Sequence, residues 1–302
     1  MIALIQNELM KIFGKKTVIV YATLIILFVF IGALIFNKFH GFITEAVSPV
    51  VEVEVADQSD ETSLTSEQAT TEKSDPTTWE FMRYIVLDLV SFVTLFSVVV
   101  VSQNISSEFG DGTIKQLLIR PHPRWKILLS KFAAVNIYSL FLLSVLFISG
   151  YIIGLIFFKS GGFSNTIQLG GFGGFGFQEE IFETTIGKHF FQTVLYYLPG
   201  LLIINTISFM LSTLFKNQAL AVGVGIFVLF INSTLSGIFT ILIDRYEWFK
   251  YLIFPNLDLR VYTEGVYIEG MTAWFSLTIL MIHFIAFMAI TFTYFQRRDI
   301  SF

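Results

Sequence analysis

Six long apolar segments limit the folds that this sequence can adopt. Residues 17–36 contain no charged side chain, and five further segments are nearly as apolar. A helix of about 20 residues crosses the roughly 30 Å hydrocarbon core of a bilayer. The sequence therefore predicts an all-α integral membrane protein with six transmembrane helices. The predicted spans are residues 17–36, 85–105, 132–158, 190–215, 219–243 and 273–295.

Composition favours a membrane protein over a soluble one. Hydrophobic residues make up 54% of the chain and charged residues 14%, whereas soluble domains average about 25% charged residues. A soluble domain has no means of burying so much apolar surface. The chain has no cysteine, which excludes disulfides, thiolate metal sites and thiol catalysis.

The N-terminal region predicts an amphipathic helix followed by an uncleaved span. Lys15 and Lys16 precede residues 17–36 as the basic region of a signal peptide would, but the apolar run is too long and no small-residue cleavage site follows. Residues 1–16 place apolar side chains on one helical face, which suits a helix lying in the membrane interface. These side chains are Ile2, Ile5, Leu9, Ile12 and Phe13. We expect one membrane domain over residues 17–302.

Three segments between the spans are expected to lie outside the cell. Residues 37–82 are acidic and polar, which predicts a disordered external insertion, with a substrate receptor or a lid as the alternative. Residues 161–177 predict a low-complexity loop, since no strand pattern precedes their glycines and no dinucleotide fingerprint is formed. Residues 244–272 are rich in interfacial aromatics, which favour the headgroup region, and a break at Pro255-Asn256 is compatible with two short helices.

The distribution of basic residues predicts the orientation. Eleven of the nineteen Lys and Arg residues fall in the short segments assigned to one side, and the other eight are spread over about twice that length. Cytoplasmic loops carry the excess of basic residues. We expect a multi-pass protein of the bacterial cell membrane with both termini in the cytoplasm.

The charged island at residues 106–131, SSEFGDGTIKQLLIRPHPRWKILLSK, connects the second and third spans. Gly112 predicts a turn, Thr113 is suited to cap a short helix over residues 114–119, and Pro121 stops that helix. Leu117 and Leu118 are apolar in a loop that is otherwise polar. They are therefore the side chains most suited to fill a cleft of a partner.

Two motifs resemble the type-2 ATP-binding-cassette (ABC) transporter permeases. In the island the pattern is Glu108-x-x-x-Gly112-Thr113, Leu117-Leu118-x-x-Pro121-x-x-Arg124 and then Lys131, which resembles the first cytoplasmic loop of that family. In the N-terminal region Asn7-Glu8-Leu9-x-Lys11, followed by Lys15-Lys16, resembles its elbow helix. The alternative interpretations are a positive-inside loop with a turn and a plain basic flank.

The resemblance implies a role for the island and a set of partners. The loop would carry a coupling helix that docks on a cytoplasmic ATPase, with Glu108 pairing with a basic group on the N-terminal helix, on the ATPase or on Arg124. The ATPase-coupling residues would be Glu108, Gly112, Thr113, Leu117, Leu118, Pro121 and Arg124. Two ATPase subunits, a second permease subunit that is identical or homologous, and membrane lipid are the implied partners. No nucleic acid is expected.

Export of an amphipathic substrate, such as an antimicrobial peptide, a drug or a lipid, is the implied function. Two alternatives stay open: a sodium-extruding permease of the same family, and a non-transporting sensor or immunity protein that binds peptide through its external loops. The sequence contains no G-x-x-x-x-G-K-[ST] phosphate loop, no H-E-x-x-H cluster and no G-x-S-x-G elbow. We therefore expect no enzyme, cofactor or metal site in this chain, and ATP and Mg²⁺ to be used by the partner ATPase.

Four polar residues within the spans are candidates for functional contacts. Asn205, Asn232 and His283 fall near the middle of the fourth, fifth and sixth spans, where an unsatisfied polar group is costly. They contact substrate or they form hydrogen bonds between helices, each worth about 1 kcal/mol. Asp88 lies near the outer end of its span, within reach of headgroups or of a basic side chain.

Overall fold

The computed structural model describes residues 1–47, 75–113, 123–170, 177–179, 182–264, 266–268 and 271–297. Helices make up most of this part of the chain. They are α1 (Ile2–Phe13), α2 (Lys16–Val47), α3 (Thr78–Phe81), α4 (Val90–Gly110), α5 (Arg124–Phe157), α6 (Ile186–Leu214), α7 (Gln218–Arg245) and α8 (Ala273–Arg297). A π-helical turn, Met82–Val86, lies between α3 and α4.

Six of the described helices are long and apolar enough to cross a membrane. Their candidate spans are Lys16–Phe39, Val90–Gly110, Arg124–Phe157, Ile186–Leu214, Gln218–Leu235 and Ala273–Arg297. This confirms the prediction of a helical protein with six candidate spans. The helix ends differ from the predicted ones because a single charged residue, such as Lys38, does not end a helix, and α2 contains no proline.

The prediction of disorder over residues 37–82 is wrong at both ends of that segment. Helix α2 continues to Val47, and a capped helix begins at Thr78. The Thr77 hydroxyl accepts a hydrogen bond from the Glu80 backbone N–H, and the Glu80 carboxylate accepts one from the Thr77 N–H at 2.9 Å. This T-x-x-E capping box is readable in the sequence. Residues 48–74 of the predicted insertion lie outside the described residues.

Two small antiparallel sheets replace part of the predicted loops. Strand β1 (Thr166–Leu169) pairs with β3 (Phe182–Thr185), and β2 (Phe177–Glu179) pairs with β4 (Val266–Ile268). The prediction of a strand-free loop over residues 161–177 is therefore wrong. The alternation in TIQL was too short to stand out beside the glycines, and β2 finds its partner about ninety residues further along the chain.

Residues 244–272 also differ from the predicted pair of short helices. Helix α7 extends to Arg245, and three 3-10 helices follow: Glu247–Tyr251, Phe254–Asn256 and Leu259–Thr263. The Asn256 amide donates to the carbonyl oxygens of Lys250 at 2.8 Å and Leu252 at 2.7 Å. These bonds hold the first two 3-10 helices against each other.

Close helix packing rests on small residues. A Cβ added to Gly150 of α5 would lie 2.8 Å from Val86, and one added to Gly154 would lie 2.9 Å from Thr78. The spacing Gly150-x-x-x-Gly154 is a common signal for helix contact in membranes. On α7, Gly225 packs closely on α4, with Ser102 2.8 Å from its added Cβ. Gly223 of the same helix has no described atom within 4 Å of its added Cβ.

The bundle has two chemically different ends. We call one the basic end, because it carries many of the Lys and Arg residues. They are Lys11, Lys15, Lys16, Arg124, Lys126, Lys131, Lys216 and Arg297. The other, which we call the loop end, comprises residues 75–89, 158–185 and 246–272 where they are described. Assignment of the basic end to the cytoplasm stays a prediction.

Candidate functional site

A cavity of about 900 Å³ lies between α4, α6, α7 and the 3-10 helices. The lining residues lie near the start of α4, in the middle of α6 and from the middle of α7 towards its end, so the cavity extends from the middle of the bundle to the loop end. The walls are mainly apolar. Large apolar side chains in these walls are those of Phe92, Leu95, Ile204, Leu229, Phe239 and Phe254. Cavities of about 300–1,000 Å³ with mostly apolar walls are typical of small-molecule binding sites.

One wall depends on the absence of a side chain at Gly200 of α6. A Cβ at this position would lie 2.5 Å from the backbone carbonyl oxygen of Leu257. The segment after Pro255 therefore approaches the helix backbone directly. Gly200 and Leu257 both line the cavity, so this contact fixes its width.

Tyr197 connects α6 to α4 at the same wall. Its hydroxyl donates to the carbonyl oxygen of Val90 at 3.1 Å and shares a hydrogen bond with the Thr94 hydroxyl at 2.7 Å. The Tyr197 side chain is 9% exposed, and burial of a phenol requires such partners. These bonds leave the Tyr197 ring as a wall of the cavity.

The charged groups of the cavity come from the last 3-10 helix and its flanks. The Arg260 guanidinium donates two hydrogen bonds to the Asp258 carboxylate, from Nε at 2.9 Å and from Nη2 at 2.8 Å. Glu264 also lines the cavity, and its Oε1 lies 3.2 Å from Nε2 of His189, a side chain that is 2% exposed. Asp258 and Arg260 therefore neutralise each other, and Glu264 stands beside a buried imidazole.

Glu264 stays ionised in this setting. Burial would raise the pKa of its carboxyl, but hydrogen bonding and charge from His189, together with the charges of Arg83 and Arg260, hold that pKa below its ordinary value. The side chain is still about half exposed, so the carboxylate faces the cavity.

Of the predicted intramembrane polar residues, Asn232 lines the cavity. Asp88 lies in the turn before α4, is exposed, and interacts electrostatically with Arg260. His283 does not reach the cavity wall, because its Nδ1 is 2.9 Å from the carbonyl oxygen of Ile279 on its own helix. The cavity therefore includes one of the three mid-span candidates.

Asn205 instead joins three helices. Its side chain is fully buried, accepts a hydrogen bond from Ser97 at 2.7 Å, and donates to Ser139 at 2.9 Å and to Asn136 at 3.2 Å. Ser97 lies on α4, while Ser139 and Asn136 lie on α5. The hydrogen-bonding interpretation of Asn205 is thus the one that fits its contacts.

At the basic end, four charged side chains join α1, α4 and α5. Lys131 Nζ lies 2.7 Å from Glu8 Oε2 and 2.8 Å from Glu108 Oε1, and Lys11 also pairs with Glu108. Glu8, Glu108 and Lys131 are buried. We call these four residues the ion cluster. Of the three partners predicted for Glu108, the N-terminal helix is the one that the structure pairs with it.

This arrangement changes the predicted face of α1. Glu8 and Ile12 are the buried residues of that helix, while Ile2 is 74% exposed. The predicted apolar face is therefore only partly the face that packs on the bundle. Helical periodicity did not identify Glu8 as inward-facing, because its partner is 123 positions away.

The remaining predicted coupling residues are only partly described. Gly112 has φ +68° and is exposed, so its glycine is explained by the left-handed backbone and not by crowding. Thr113 is exposed beside it. Arg124, the first residue of α5, donates to the carbonyl oxygen of Gln296 at 3.1 Å. Leu117, Leu118, Pro121 and the predicted helix over 114–119 lie outside the described residues.

The sequence reasoning missed Asp258, Arg260 and Glu264. The available signal was the presence of these three charged residues within seven positions of an aromatic-rich segment between two spans. No group of three His, Cys, Asp or Glu side chains within the described residues is arranged to hold a metal ion.

Comparison with known proteins shows which family contains this chain. The family described as "Protein of unknown function (DUF2705)" matches residues 63–301. "Uncharacterized protein YhcI" of Bacillus subtilis (strain 168) is 36% identical over 233 residues, which cover 74% of this chain and 70% of the relative. "Uncharacterized membrane protein YdbK" of the same strain is 33% identical over 209 residues, covering 68% and 76% respectively.

These matches overturn the family assignment suggested by the two motifs. The matching family is DUF2705, and neither relative is named as an ABC permease. The motif residues have contacts within the chain that explain them otherwise: Glu108 and Lys131 belong to the ion cluster, and Arg124 binds the end of α8. The chain is a multi-pass membrane protein and belongs to the DUF2705 family.

Proposed function

We propose that this protein is the membrane-spanning subunit of a transporter that exports an amphipathic molecule, such as an antimicrobial peptide, a drug or a lipid. The cavity of about 900 Å³ is the observation that carries this proposal. Its apolar walls suit a hydrocarbon or aromatic body, and its charged end at Asp258, Arg260 and Glu264 suits a polar head. A sodium ion would need a compact set of oxygen ligands, so the apolar walls favour an organic substrate.

The energy for transport would come from a separate protein. Because the sequence has no phosphate-binding loop, we propose that two cytoplasmic ATPase subunits use ATP and Mg²⁺ and contact the basic end. A second membrane subunit, identical or homologous, would complete the assembly. Helix α4 supports such coupling, since it carries Glu108 of the ion cluster at one end and the cavity residues Ser91, Phe92 and Leu95 at the other.

A non-transporting sensor or immunity protein is the second candidate. It is favoured by the extension of the cavity to the loop end, where the 3-10 helices line it, which suits binding of a molecule that arrives from outside. Such a protein would bind the same class of ligand without moving it. Transport and binding therefore have to be measured separately.

The test is ATP-dependent accumulation of a fluorescent amphipathic dye in inverted vesicles from cells that produce this protein with a neighbouring encoded ATPase. We expect accumulation with the unchanged chain and a loss of at least about fivefold with Ile204→Trp, because Ile204 lines the cavity and a larger ring fills it. Leu202→Trp is the matched control, since Leu202 lies on the same helix, is 37% exposed and is not a cavity residue.

The outcomes separate the two candidates. Vesicles that bind the dye in a cavity-dependent manner but never concentrate it would support the sensor and contradict transport. Equal accumulation by the Ile204 and Leu202 variants would show that the cavity is not the substrate path.

A further inference from the structure

We propose that the cavity selects cationic amphipaths and that the Glu264 carboxylate is the counter-ion for the positive group of the ligand. This deepens the proposed function by naming its substrate class, and it rests on that function only for the transport step. The binding step stands on the cavity and its charges alone. No residue outside the described part of the chain is needed for it.

The other two charged side chains on the cavity wall are already paired with each other. Arg260 and Asp258 form a two-point ion pair, with N···O distances of 2.9 and 2.8 Å. This fork uses two of the five guanidinium N–H donors, and the Asp258 carboxylate balances the charge of Arg260. The pair contributes no net charge to the cavity.

The charged side chains around the Glu264 end of the cavity include more carboxylates than guanidinium groups. Asp88, Asp258 and Glu264 supply three carboxylates, against the guanidinium groups of Arg83 and Arg260. Arg83 is already engaged by Tyr84, donating to the hydroxyl at 2.8 Å and lying 4.6 Å from the ring centroid. These carboxylates outnumber the guanidinium groups by one, and Glu264 is the carboxylate on the cavity wall that is not held in a two-point guanidinium pair.

The aromatic side chains of the cavity wall suit the apolar body of the ligand. The wall contributes the aromatic rings of Phe92, Phe230, Phe239 and Phe254. Aromatic faces attract cations as well as apolar groups, by roughly 0.5–2 kcal/mol per contact at suitable distances. An apolar body with one ammonium, guanidinium or phosphonium group therefore matches the wall and the Glu264 end together, whereas an anionic head would meet the half-exposed Glu264 carboxylate.

The test uses the full chain in nanodiscs of zwitterionic lipid, with empty nanodiscs subtracted. Tritiated tetraphenylphosphonium is the probe, and submicellar decyltrimethylammonium and decyl sulfate are competitors with the same tail and opposite head charges. We expect saturable binding, with decyl sulfate at least about tenfold weaker as a competitor. Glu264→Gln should weaken probe binding by about tenfold, since it removes the charge and keeps the shape.

Glu247→Gln is the matched control, because Glu247 is exposed on the first 3-10 helix and is not a cavity residue. It should bind the probe as the unchanged chain does. The proposal is overturned if the unchanged chain shows no saturable binding, if decyl sulfate competes as well as decyltrimethylammonium, or if Glu264→Gln keeps full affinity. The competitor comparison needs no variant, so misfolding of Glu264→Gln cannot hide the result.

Failure of this inference is distinct from failure of the proposed function. ATP-dependent accumulation that depends on the cavity but shows no charge preference would remove the role of Glu264 and leave transport intact. Charge-selective binding without accumulation would leave the role of Glu264 intact and contradict transport.

Discussion

The ammonium group of Lys131 lies 2.8 Å from Oε1 of Glu108, and both side chains are almost fully buried. Lys131 also binds Glu8 on α1 at 2.7 Å, so one lysine holds the N-terminal helix to α4 and α5. Two carboxylates and two ammonium groups balance within the ion cluster. Since buried charges are tolerated only when they are paired, the three buried members, Glu8, Glu108 and Lys131, depend on one another.

Lys131→Met should destabilise the protein strongly. The change leaves Glu8 wholly without its partner and Glu108 with only Lys11, and removal of one member of a buried ion pair costs about 3–5 kcal/mol. We expect a lower midpoint of thermal unfolding, measured by fluorescence-detected size exclusion of the solubilised protein. Detachment of α1 should also increase proteolysis near Gly14, which lies between α1 and α2.

Lys11→Met provides the contrast on the same cluster. Lys11 is 47% exposed, and Glu108 keeps Lys131 when Lys11 is removed. An exposed ion pair is worth at most about 1 kcal/mol, so this variant should unfold close to the unchanged protein. Equal destabilisation by the two lysine variants would contradict the buried and exposed roles assigned here.

Asn205 and Asn232 should respond differently to the same substitution. Asn205→Leu removes three hydrogen bonds between buried groups of α4, α5 and α6, which we expect to cost about 1–2 kcal/mol of stability. Asn232→Leu changes a partly buried cavity residue and should leave stability nearly unchanged while altering ligand binding. Thermal unfolding and tetraphenylphosphonium binding measured on both variants check the pair. A stability loss confined to Asn232→Leu would reverse the assignment.

The orientation of the bundle can be tested with single cysteines, because the chain has none of its own. Asp75 at the loop end has a side chain that is 67% exposed, and Thr113 at the basic end is also exposed. The density of Lys and Arg predicts that the basic end is cytoplasmic. An impermeant maleimide should therefore label Asp75→Cys in intact cells, and Thr113→Cys only after permeabilisation. The opposite labelling pattern would invert the orientation.

The sequence predicted features that depend on local composition. Long apolar runs identified the six candidate spans, since hydrophobic length alone decides whether a helix can cross a bilayer. The burial of Asn205 followed from its depth in a span. The Thr77-x-x-Glu80 capping box and the Gly150-x-x-x-Gly154 contact were also readable, although they were not recognised.

The missed features depend on pairing between distant residues. Glu8 meets Lys131 across 123 positions, and β2 meets β4 across about ninety. Periodicity reports which face of an element is apolar, but it does not report the partner that a charge or a strand edge will find. The cavity is of this kind, because Gly200, Phe92 and Glu264 belong to three separate elements.

The contact between Gly200 and Leu257 gives the sharpest test of the cavity wall. In a helix, replacing glycine by alanine ordinarily stabilises by about 1 kcal/mol. At Gly200 the added Cβ would lie 2.5 Å from the Leu257 carbonyl oxygen, which is backbone and has no rotamer by which to move away. The 3-10 segment must shift instead, and we expect a cost of about 1–3 kcal/mol, as for other overpacked sites.

Gly223→Ala is the matched control for Gly200→Ala. Gly223 also lies within a helix, and no described atom is within 4 Å of its added Cβ, so the usual gain from alanine should appear. Gly200→Ala should lower both the unfolding midpoint and the affinity for tetraphenylphosphonium, because the displaced segment carries Asp258, Arg260 and Glu264. If both alanine variants were equally stable and bound the probe equally well, the close approach of Leu257 to α6 would not be what shapes the cavity.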